Sequence, residues 1–407
     1  MKSYIVGGAV RDGLLGLPTA DRDWVVTGAT REQMLALGYT PVGADFPVFL
    51  HPQTHEEYAL ARTERSTGAG YHKFKIYASP TVTLEQDLQR RDLTINAMAL
   101  TADGKLIDPW DGLSDLREGV FRHVSPAFHE DPVRILRLAR LAARLPTFRV
   151  APETQALLQQ MVDRGEVDAL VPERVWKELS RGLMELHPSR MFDVLLSCGA
   201  LAHVLPEVSG LWKCAADPDA QNESSAGRHV MTVLDASAEA HASLAVRYAC
   251  LCMHLGTDEH KTHKKASVEN PTSWLPQALS QRLRVGTECR EVAEIVAREH
   301  KSIKRSADLD AGELLLLFER CDAFRRPERF VSVIRACELD ESGPHGGQRE
   351  KYSNVSALLQ VARSVSTAGI VSDSKARTLS GRWVGQEIRG ARMQAIETAQ
   401  RAIGAPM

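Results

Sequence analysis

The chain has 407 residues, of which 43% are hydrophobic, and a formal net charge of −2 at pH 7. This length exceeds one ordinary hydrophobic core and predicts two to four domains, while the near-neutral charge excludes a uniformly basic nucleic-acid-binding protein. Its seven cysteines form no CxxC pair, which argues against a zinc ribbon or a disulfide framework. The first residues lack a signal-peptide pattern, and no apolar run approaches the ~20 residues that span a bilayer. We therefore expect a cytoplasmic, soluble protein.

The first twenty-six residues combine a glycine pair with two aspartates. A short apolar strand ends at Gly7-Gly8, a helix is predicted over 9–15, and Asp21 and Asp23 then open a second strand. Residues two apart in a strand face the same side, so these two carboxylates are expected side by side. Mg²⁺ is typically held by one or two carboxylates together with substrate phosphates, and bare backbone N–H groups at a helix start bind phosphate. The pattern predicts a site for Mg²⁺ and a nucleotide, with a plain turn and a solvated strand start as the alternative.

The next elements are short. Thr30 is expected to cap a helix through Gly38, and residues 46–50 and 57–62 are expected to form strands. Residues 65–81 contain two glycines and no acidic residue, which predicts either a mobile loop that closes over a nucleotide or an ordinary surface loop.

A helix is predicted over Leu84 to Leu100, and it contains the adjacent arginines Arg90 and Arg91. Guanidinium groups in an apolar segment need anionic partners. Triphosphate oxygens are one candidate, and neighbouring acids such as Asp87 are the other.

A later segment, EDPVRILRLAR over residues 130–140, predicts a helix that begins at Asp131 and Pro132. Its arginines recur every three or four residues, which places them in a basic stripe along one helix face, opposite an apolar face. Read alone, the stripe is explained by helix capping and surface ion pairs. The stripe consists of Arg134, Arg137, Arg140 and Arg144.

Four strings occur in a fixed order: the glycine pair with DxD, RRDLTINAMA (90–99), DPWDG (108–112) and EDPVRILRLAR. Together they resemble the successive motifs of the bacterial CCA-adding enzymes, the tRNA nucleotidyltransferases of the polymerase-β-like superfamily. The resemblance implies an α+β nucleotidyltransferase head followed by a mostly helical body. It also implies template-independent addition of C, C and A to the tRNA 3′ end from CTP and ATP, with release of pyrophosphate.

The same resemblance assigns roles to residues. Asp21 and Asp23 would hold two catalytic Mg²⁺ ions. Asp131 and Arg134 would read the Watson–Crick edge of the incoming base, because a carboxylate accepts from the exocyclic amine of C and A and a guanidinium donates to their ring acceptors. The residues expected to grip the nucleotide are Gly8, Arg11, Arg91, Arg137 and Arg140.

Two other functions stay open at this point. One is a template-independent polymerase of the same fold that adds part of CCA or a poly(A) tail. The other is an RNA-binding protein without catalysis, against which the intact DxD argues. For the favoured function we expect the tRNA 3′ end as partner, CTP and ATP as substrates, no membrane, and a monomer or weak homodimer.

Four regions are expected along the chain, with a linker near residue 225 where Pro, Asn and Ser cluster. They are a catalytic head over 1–125, a helical base-selecting and RNA-binding region over 126–224, an HD-like helical domain over 225–330 and a helical tail over 331–407.

The HD-like region departs from the pattern that it resembles. Many enzymes of this type carry a phosphohydrolase domain in which an adjacent His-Asp pair binds metal. Here His229 is in place, but the pair reads Met253-His254, and a thioether is a poor ligand for Ni²⁺, Mg²⁺ or Mn²⁺. We expect no metal-dependent phosphatase or cyclic phosphodiesterase activity. A less favoured alternative is a new metal site built from His254, Asp258, Glu259, His260 and His263.

Overall fold

The computed structural model of the chain describes residues 1–19, 22–43, 47–66, 74–213, 225–256, 275–342, 349–376 and 381–403. The chain forms two compact units. The first unit comprises Met1–Gly182 and Arg190–Val204, and the second comprises Leu183–Ser189 and Leu205–Met407. The division into four regions is finer than these units and stays a prediction.

A mixed sheet begins the first unit. Its seven described strands are β1 (Lys2–Val6), β2 (Asp23–Thr27), β3 (Thr40–Val42), β4 (Val48–Leu50), β5 (Glu57–Leu60), β8 (Ala99–Leu100) and β9 (Leu106–Ile107). They lie in the order β3-β4-β5-β2-β1-β8-β9, with β2 and β5 parallel and the other neighbours antiparallel. Two further pairs are β6 (Arg62–Ser66) with β7 (Phe74–Ala78) and β10 (Val120–Phe121) with β11 (Arg149–Val150).

Strand β2 lies between two hydrophobic clusters. Val25 packs in a cluster with Leu88, and the next residue, Val26, packs in another with Phe49. Successive strand side chains point to opposite faces, so a one-residue slip in register would exchange the two clusters. The core therefore fixes the position of Asp23 at the start of the strand.

Helices make up most of the rest of the first unit. They are α1 (Gly8–Leu14), α2 (Arg31–Ala36), α3 (Leu84–Gln89), α4 (Gly112–Glu118), α5 (Val133–Arg144), α6 (Pro152–Asp163), α7 (Pro172–Leu183), α8 (Ser189–Ser197) and α9 (Ala200–Val204). The predicted cap of α2 is confirmed, because the Thr30 hydroxyl accepts from the Gln33 N–H while the Gln33 side chain accepts from the Thr30 N–H.

The helix predicted over Leu84 to Leu100 is wrong beyond Gln89, where α3 ends. The backbone after it pairs with a distant segment instead of continuing the helix. Leu93 forms an antiparallel bridge with His123, and the Thr94 N–H donates to the carbonyl of Arg122 at 2.9 Å. These tertiary hydrogen bonds replace the helical ones, and only a 3₁₀ turn follows over Thr94–Asn96.

The loop predicted over residues 65–81 is a strand at each described flank. Strands β6 and β7 pair antiparallel from Arg62 opposite Ala78 to Ser66 opposite Phe74. Residues 67–73 between them lie outside the described residues. The closing of this segment over a nucleotide stays a prediction.

The regular structure described in the second unit is helical. Its helices are α10 (Pro206–Ser209), α11 (Ala226–Glu239), α12 (Leu244–Cys252), α13 (Leu275–Arg282), α14 (Thr287–Lys304), α15 (Ala311–Arg320), α16 (Pro327–Ser342), α17 (Arg349–Ser364), α18 (Thr367–Ala376) and α19 (Gly381–Ile403). The stretch Glu350–Ser372 passes a length and composition test for a membrane-crossing helix. It consists of parts of two helices, however, because α17 ends at Ser364 and α18 begins at Thr367.

Candidate nucleotide-binding site

The turn between β1 and α1 requires a glycine. Gly7 has φ +72° and ψ −136°, a conformation that side-chain-bearing residues rarely adopt. A Cβ atom at this position would also lie 2.9 Å from Nη1 of Arg91. The Arg91 guanidinium therefore lies directly against the predicted phosphate-binding turn, and Gly8 follows as the first residue of α1.

Asp23 lies beside the same turn. It pairs with Val6 in the register of β1 and β2, its side chain is exposed, and its Oδ2 is 4.0 Å from the Cβ that Gly7 lacks. An exposed carboxylate beside a glycine turn suits a Mg²⁺ ion that also binds substrate phosphates. The second predicted carboxylate, Asp21, lies outside the described residues.

Arg91 is only partly neutralised by protein acids. Its Nη2 is 3.4 Å from Oδ2 of Asp87, whereas Arg90 binds the same carboxylate at 2.8 Å. The Nε of Arg91 is buried without a hydrogen-bond partner among the described residues, and burial lowers the pKa of its guanidinium. Asp87 thus binds Arg90 more closely than Arg91, whose Nη1 lies against the glycine turn.

Arg11 belongs to a buried network. It donates from Nε to Asp12 Oδ1 at 2.8 Å and from Nη1 to Asn96 Oδ1 at 2.6 Å. Asp12 also accepts from Nη2 of Arg144 at 2.8 Å. Burial lowers the pKa of the Arg11 guanidinium, and Asp12 opposes that shift. In this structure Arg11 therefore joins α1 to Asn96 and, through Asp12, to α5; its contact with phosphate stays a prediction.

The same network continues to Arg137. Asn96 donates from Nδ2 to Asp92 Oδ1 at 3.0 Å, and Arg137 donates from Nε to Asp92 Oδ2 at 2.8 Å. Burial alone would raise the pKa of Asp92, but Arg137 and Asn96 hold it well below its ordinary value. A continuous chain of hydrogen bonds thus leaves α5 at Arg137 and returns to it at Arg144, which fixes α5 against α1 and the 92–96 segment.

The predicted base-reading residues are both held by neighbours. Asp131 accepts two parallel hydrogen bonds from Arg174, at 3.0 and 2.7 Å, and a third from the Val133 N–H at 3.2 Å. Arg134 donates to the carbonyls of Ala127 and Arg90 at 2.9 and 2.7 Å. Asp131 therefore contacts the first N–H of α5, but the N-cap of that helix is Pro132, without a side-chain cap hydrogen bond, and Arg174 binds the same carboxylate.

Helix α7 supplies two site residues to which the sequence analysis assigned no role. Arg174 binds Asp131, and one turn later Glu178 accepts from Nε of Arg140 at 2.7 Å. Residues at i and i+4 lie on one helix face, so the spacing within PERVWKEL could have indicated a shared surface. Asp12, Asp92 and Asn96 were also missed, because nothing local in the sequence shows that they meet.

The DPWDG string is structural. Asp108 accepts from the backbone N–H groups of Gly112 and Leu113, each at 2.8 Å, and so caps α4. A Cβ on Gly112 would lie 2.3 Å from the carbonyl oxygen of Thr94. The string therefore packs α4 against the segment that carries Asn96.

In the second unit, His229 and His254 meet at one carboxylate, Asp340. Met253 beside them is fully buried. The remaining residues of the alternative metal site, Asp258, Glu259, His260 and His263, lie outside the described residues.

Comparison with known proteins places these features in context. The family model described as "Poly A polymerase head domain" matches residues 3–122, and "Probable RNA and SrmB- binding site of polymerase A" matches residues 147–211. The Multifunctional CCA protein of Leptothrix cholodnii is 54% identical over 402 residues, which is 97% of this chain and 96% of that protein. The Multifunctional CCA protein of Polaromonas naphthalenivorans is 51% identical over 424 residues and matches along the whole of both chains.

Solved structures share the fold at lower identity. The Bacillus stearothermophilus CCA-adding enzyme in complex with CTP is 22% identical with a TM-score of 0.66, covering 98% of this chain and 89% of that one. A tRNA nucleotidyltransferase complexed with a primer tRNA and an incoming ATP analog is 24% identical with a TM-score of 0.59, covering 89% and 96%.

Proposed function

This chain belongs to the family of bacterial multifunctional CCA proteins, and we infer that it is a tRNA nucleotidyltransferase that adds C, C and A to tRNA 3′ ends from CTP and ATP. The polymerase-β-like head and mostly helical body predicted from the sequence are confirmed. The main support for this assignment within the chain is that Arg91 and Asp23 both lie beside the Gly7 turn.

In the proposed reaction, Asp23 and Asp21 would hold two Mg²⁺ ions, and these would stabilise the charge on the α-phosphate and the departing pyrophosphate. The chain itself orients the triphosphate. Arg91 would donate from Nη1, which lies against the glycine turn, and the backbone of Gly8 lies at the start of α1.

Arg137 and Arg140 are proposed to bind phosphate from α5. The Nε of Arg137 donates to Asp92, and 46% of the Arg137 side chain stays exposed. Glu178 accepts from Nε of Arg140. An acid that binds the Nε of an arginine orients the planar guanidinium, the group that recognises phosphate.

Asp131 and Arg134 are proposed to select the base. Each carboxylate oxygen carries two lone pairs, so Asp131 can accept from the amine of C or A while Arg174 holds its orientation. A polar site of this kind rejects bases that leave its groups unpaired.

The rival function is a polymerase that adds only part of CCA or a poly(A) tail, which the poly A polymerase head match keeps in view. Purified protein would be incubated with tRNA that lacks CCA and with single nucleotides. The proposal expects C addition to stop at CC with CTP alone, and one A to follow when ATP is added. Repeated A addition, or no A addition after CC, would favour the rival.

We further propose that the protein works in the cytoplasm as a monomer or weak homodimer, without a membrane partner. We also propose that its HD-like region has no phosphohydrolase activity, since Met253 replaces a metal-binding residue type and is fully buried. The assay uses 2′,3′-cAMP and p-nitrophenyl phosphate with Ni²⁺, Mn²⁺ or Mg²⁺. Turnover that disappears in His229→Ala or His254→Ala would contradict this part of the proposal.

A further inference from the structure

A buried carboxylate with three basic neighbours lies in the second unit. Asp340, on α16, has a side chain that is only 1% exposed. Its Oδ1 is 2.8 Å from Nε2 of His229 and 2.9 Å from Nε2 of His254, and its Oδ2 is 2.5 Å from Nζ of Lys304. The three partners come from α11, from the 3₁₀ turn Met253–Gly256 and from the last residue of α14.

The ligating atoms of His229, His254 and Asp340 lie within 4.8 Å of one another, close enough for one metal ion to reach all three. The cluster already contains a cation, however, because the Lys304 ammonium lies 2.5 Å from Oδ2 of Asp340. That oxygen is buried, so a metal ion that binds it would have to displace the ammonium.

The charge balance of the cluster points the same way. When both histidines are neutral, the charges of the Asp340 carboxylate and the Lys304 ammonium cancel. Its next acidic neighbour, Glu341, binds Lys351 at 2.5 Å. A divalent cation would therefore add two uncompensated charges at a site where Asp340 is almost fully buried, and the cost of desolvating them would not be offset by a further acidic partner.

Lys304 is held in place from two directions. It ends α14, where the helix dipole favours a positive charge. Its backbone carbonyl accepts from Nζ of Lys351 at 2.8 Å, and this Lys351 ammonium also binds Glu341. The backbone of Lys304 is thus anchored at the end of α14, and its side chain, which is 29% exposed, places the ammonium against Asp340.

We propose that Lys304 is the resident cation of this cluster. Its ammonium neutralises Asp340 in place of a divalent metal, and the resulting ion pair and hydrogen bonds tie α11, α14 and α16 together. The inference is independent of nucleotidyl transfer, because none of these residues belongs to the nucleotide site. It also goes beyond the absence of hydrolase activity, which does not by itself exclude a bound metal.

Removal of the ammonium should open the cluster to metal. Lys304→Met keeps an apolar stem of similar length and leaves one carboxylate and two imidazoles, a donor set that suits Ni²⁺. Lys301→Met is the matched control, since Lys301 is exposed on the same helix. The double variant Lys304→Met/His229→Ala removes one of the new ligands.

Ni²⁺ binding to the untagged full-length protein would be measured by titration calorimetry, with excess Mg²⁺ to occupy the nucleotide site. We expect Lys304→Met to bind Ni²⁺ about tenfold tighter or more than the wild type, Lys301→Met to match the wild type, and the double variant to lose the gain. Incorporation of CMP and AMP should be unchanged in Lys304→Met, which separates this test from the proposed function.

Two results would overturn the proposal. One is stoichiometric Ni²⁺ binding by the wild type that is lost in His254→Ala, because the cluster would then hold metal despite Lys304. The other is a Lys304→Met protein with a native circular dichroism spectrum that gains no Ni²⁺ binding, because Lys304 would then not be what excludes the metal.

Discussion

Two aspartates in the two units show how the surroundings of a carboxylate decide its role. Asp23 is exposed at the start of β2, beside a guanidinium that keeps an unused donor. Asp340 is buried, and each of its oxygens faces a basic side chain. Both side chains are carboxylates and could in principle bind a metal. The comparison indicates that the counter-charge supplied by the fold, more than the residue type, determines which carboxylate is available to a cation.

Asp23→Ala should have the largest effect on nucleotide incorporation. Loss of a catalytic metal ligand is expected to lower the rate of incorporation by several orders of magnitude, while tRNA binding stays nearly intact because the RNA surface is unaltered. Asp21→Ala is expected to behave in the same way. Incorporation and tRNA affinity would be measured in parallel, with the exposed Asp103→Ala as control. Near-normal turnover of Asp23→Ala in Mg²⁺ would remove the metal assignment.

Acidification should destabilise the second unit. The pKa of His300, which faces His254 and Lys304 near Asp340, is lowered by burial to about 4, against roughly 6.5 when unfolded. Between these two pH values the His300 ring is protonated in the unfolded chain and neutral in the folded chain. Its contribution to the free energy of unfolding of the second unit is therefore complete above pH ~6.5 and falls by about 2 to 4 kcal/mol towards pH ~4. Urea unfolding at several pH values should show this slope and lose it in His300→Phe. An unchanged slope in the variant would contradict the assignment.

Gly7→Ala tests the head from the backbone side. The substitution places a side chain at φ +72° and a Cβ 2.9 Å from Arg91, so we expect a loss of about 1–3 kcal/mol in the free energy of unfolding and a raised KM for nucleotides as Arg91 is displaced. Gly13→Ala in the same helix meets no atom within 4 Å and should be neutral or slightly stabilising. Equal behaviour of the two variants would show that the turn is not constrained.

Arg174→Lys should have the smallest effect and a specific one. Lysine keeps the charge but cannot make the two parallel hydrogen bonds that orient Asp131. Discrimination of CTP and ATP against UTP and GTP is expected to fall by about tenfold, with kcat for the correct nucleotide less affected. If selectivity stays at the wild-type level, Arg174 supports the fold without positioning the base-reading carboxylate.

Local patterns predicted the parts of the site that are local in the chain. The glycine turn, the strand that starts at Asp23, the Thr30 cap and the helix start after Asp131 each rest on a few adjacent residues, and the structure has all four. The helix over 84–100 failed because its hydrogen-bonding partner, the Arg122 carbonyl, lies far along the chain.

The electrostatic partners could not be predicted for the same reason. Asp12 binds Arg144 across 132 residues, and Asp340 meets His229 across 111. No periodicity connects such positions, since only the tertiary fold brings them together. The sequence predicted Asp87 as an alternative partner for Arg90 and Arg91. Asp87 does bind Arg90 at 2.8 Å, but it lies 3.4 Å from Arg91.

The contrast between the two aspartates is tested most directly by counting bound Mn²⁺ in the presence of CTP. Electron paramagnetic resonance would be recorded on the wild type, on Asp23→Ala and on Asp340→Asn. The account predicts that Asp23→Ala loses the CTP-dependent Mn²⁺ and that Asp340→Asn keeps all of the Mn²⁺ bound by the wild type. Retention of CTP-dependent Mn²⁺ in Asp23→Ala, or its loss in Asp340→Asn, would contradict it.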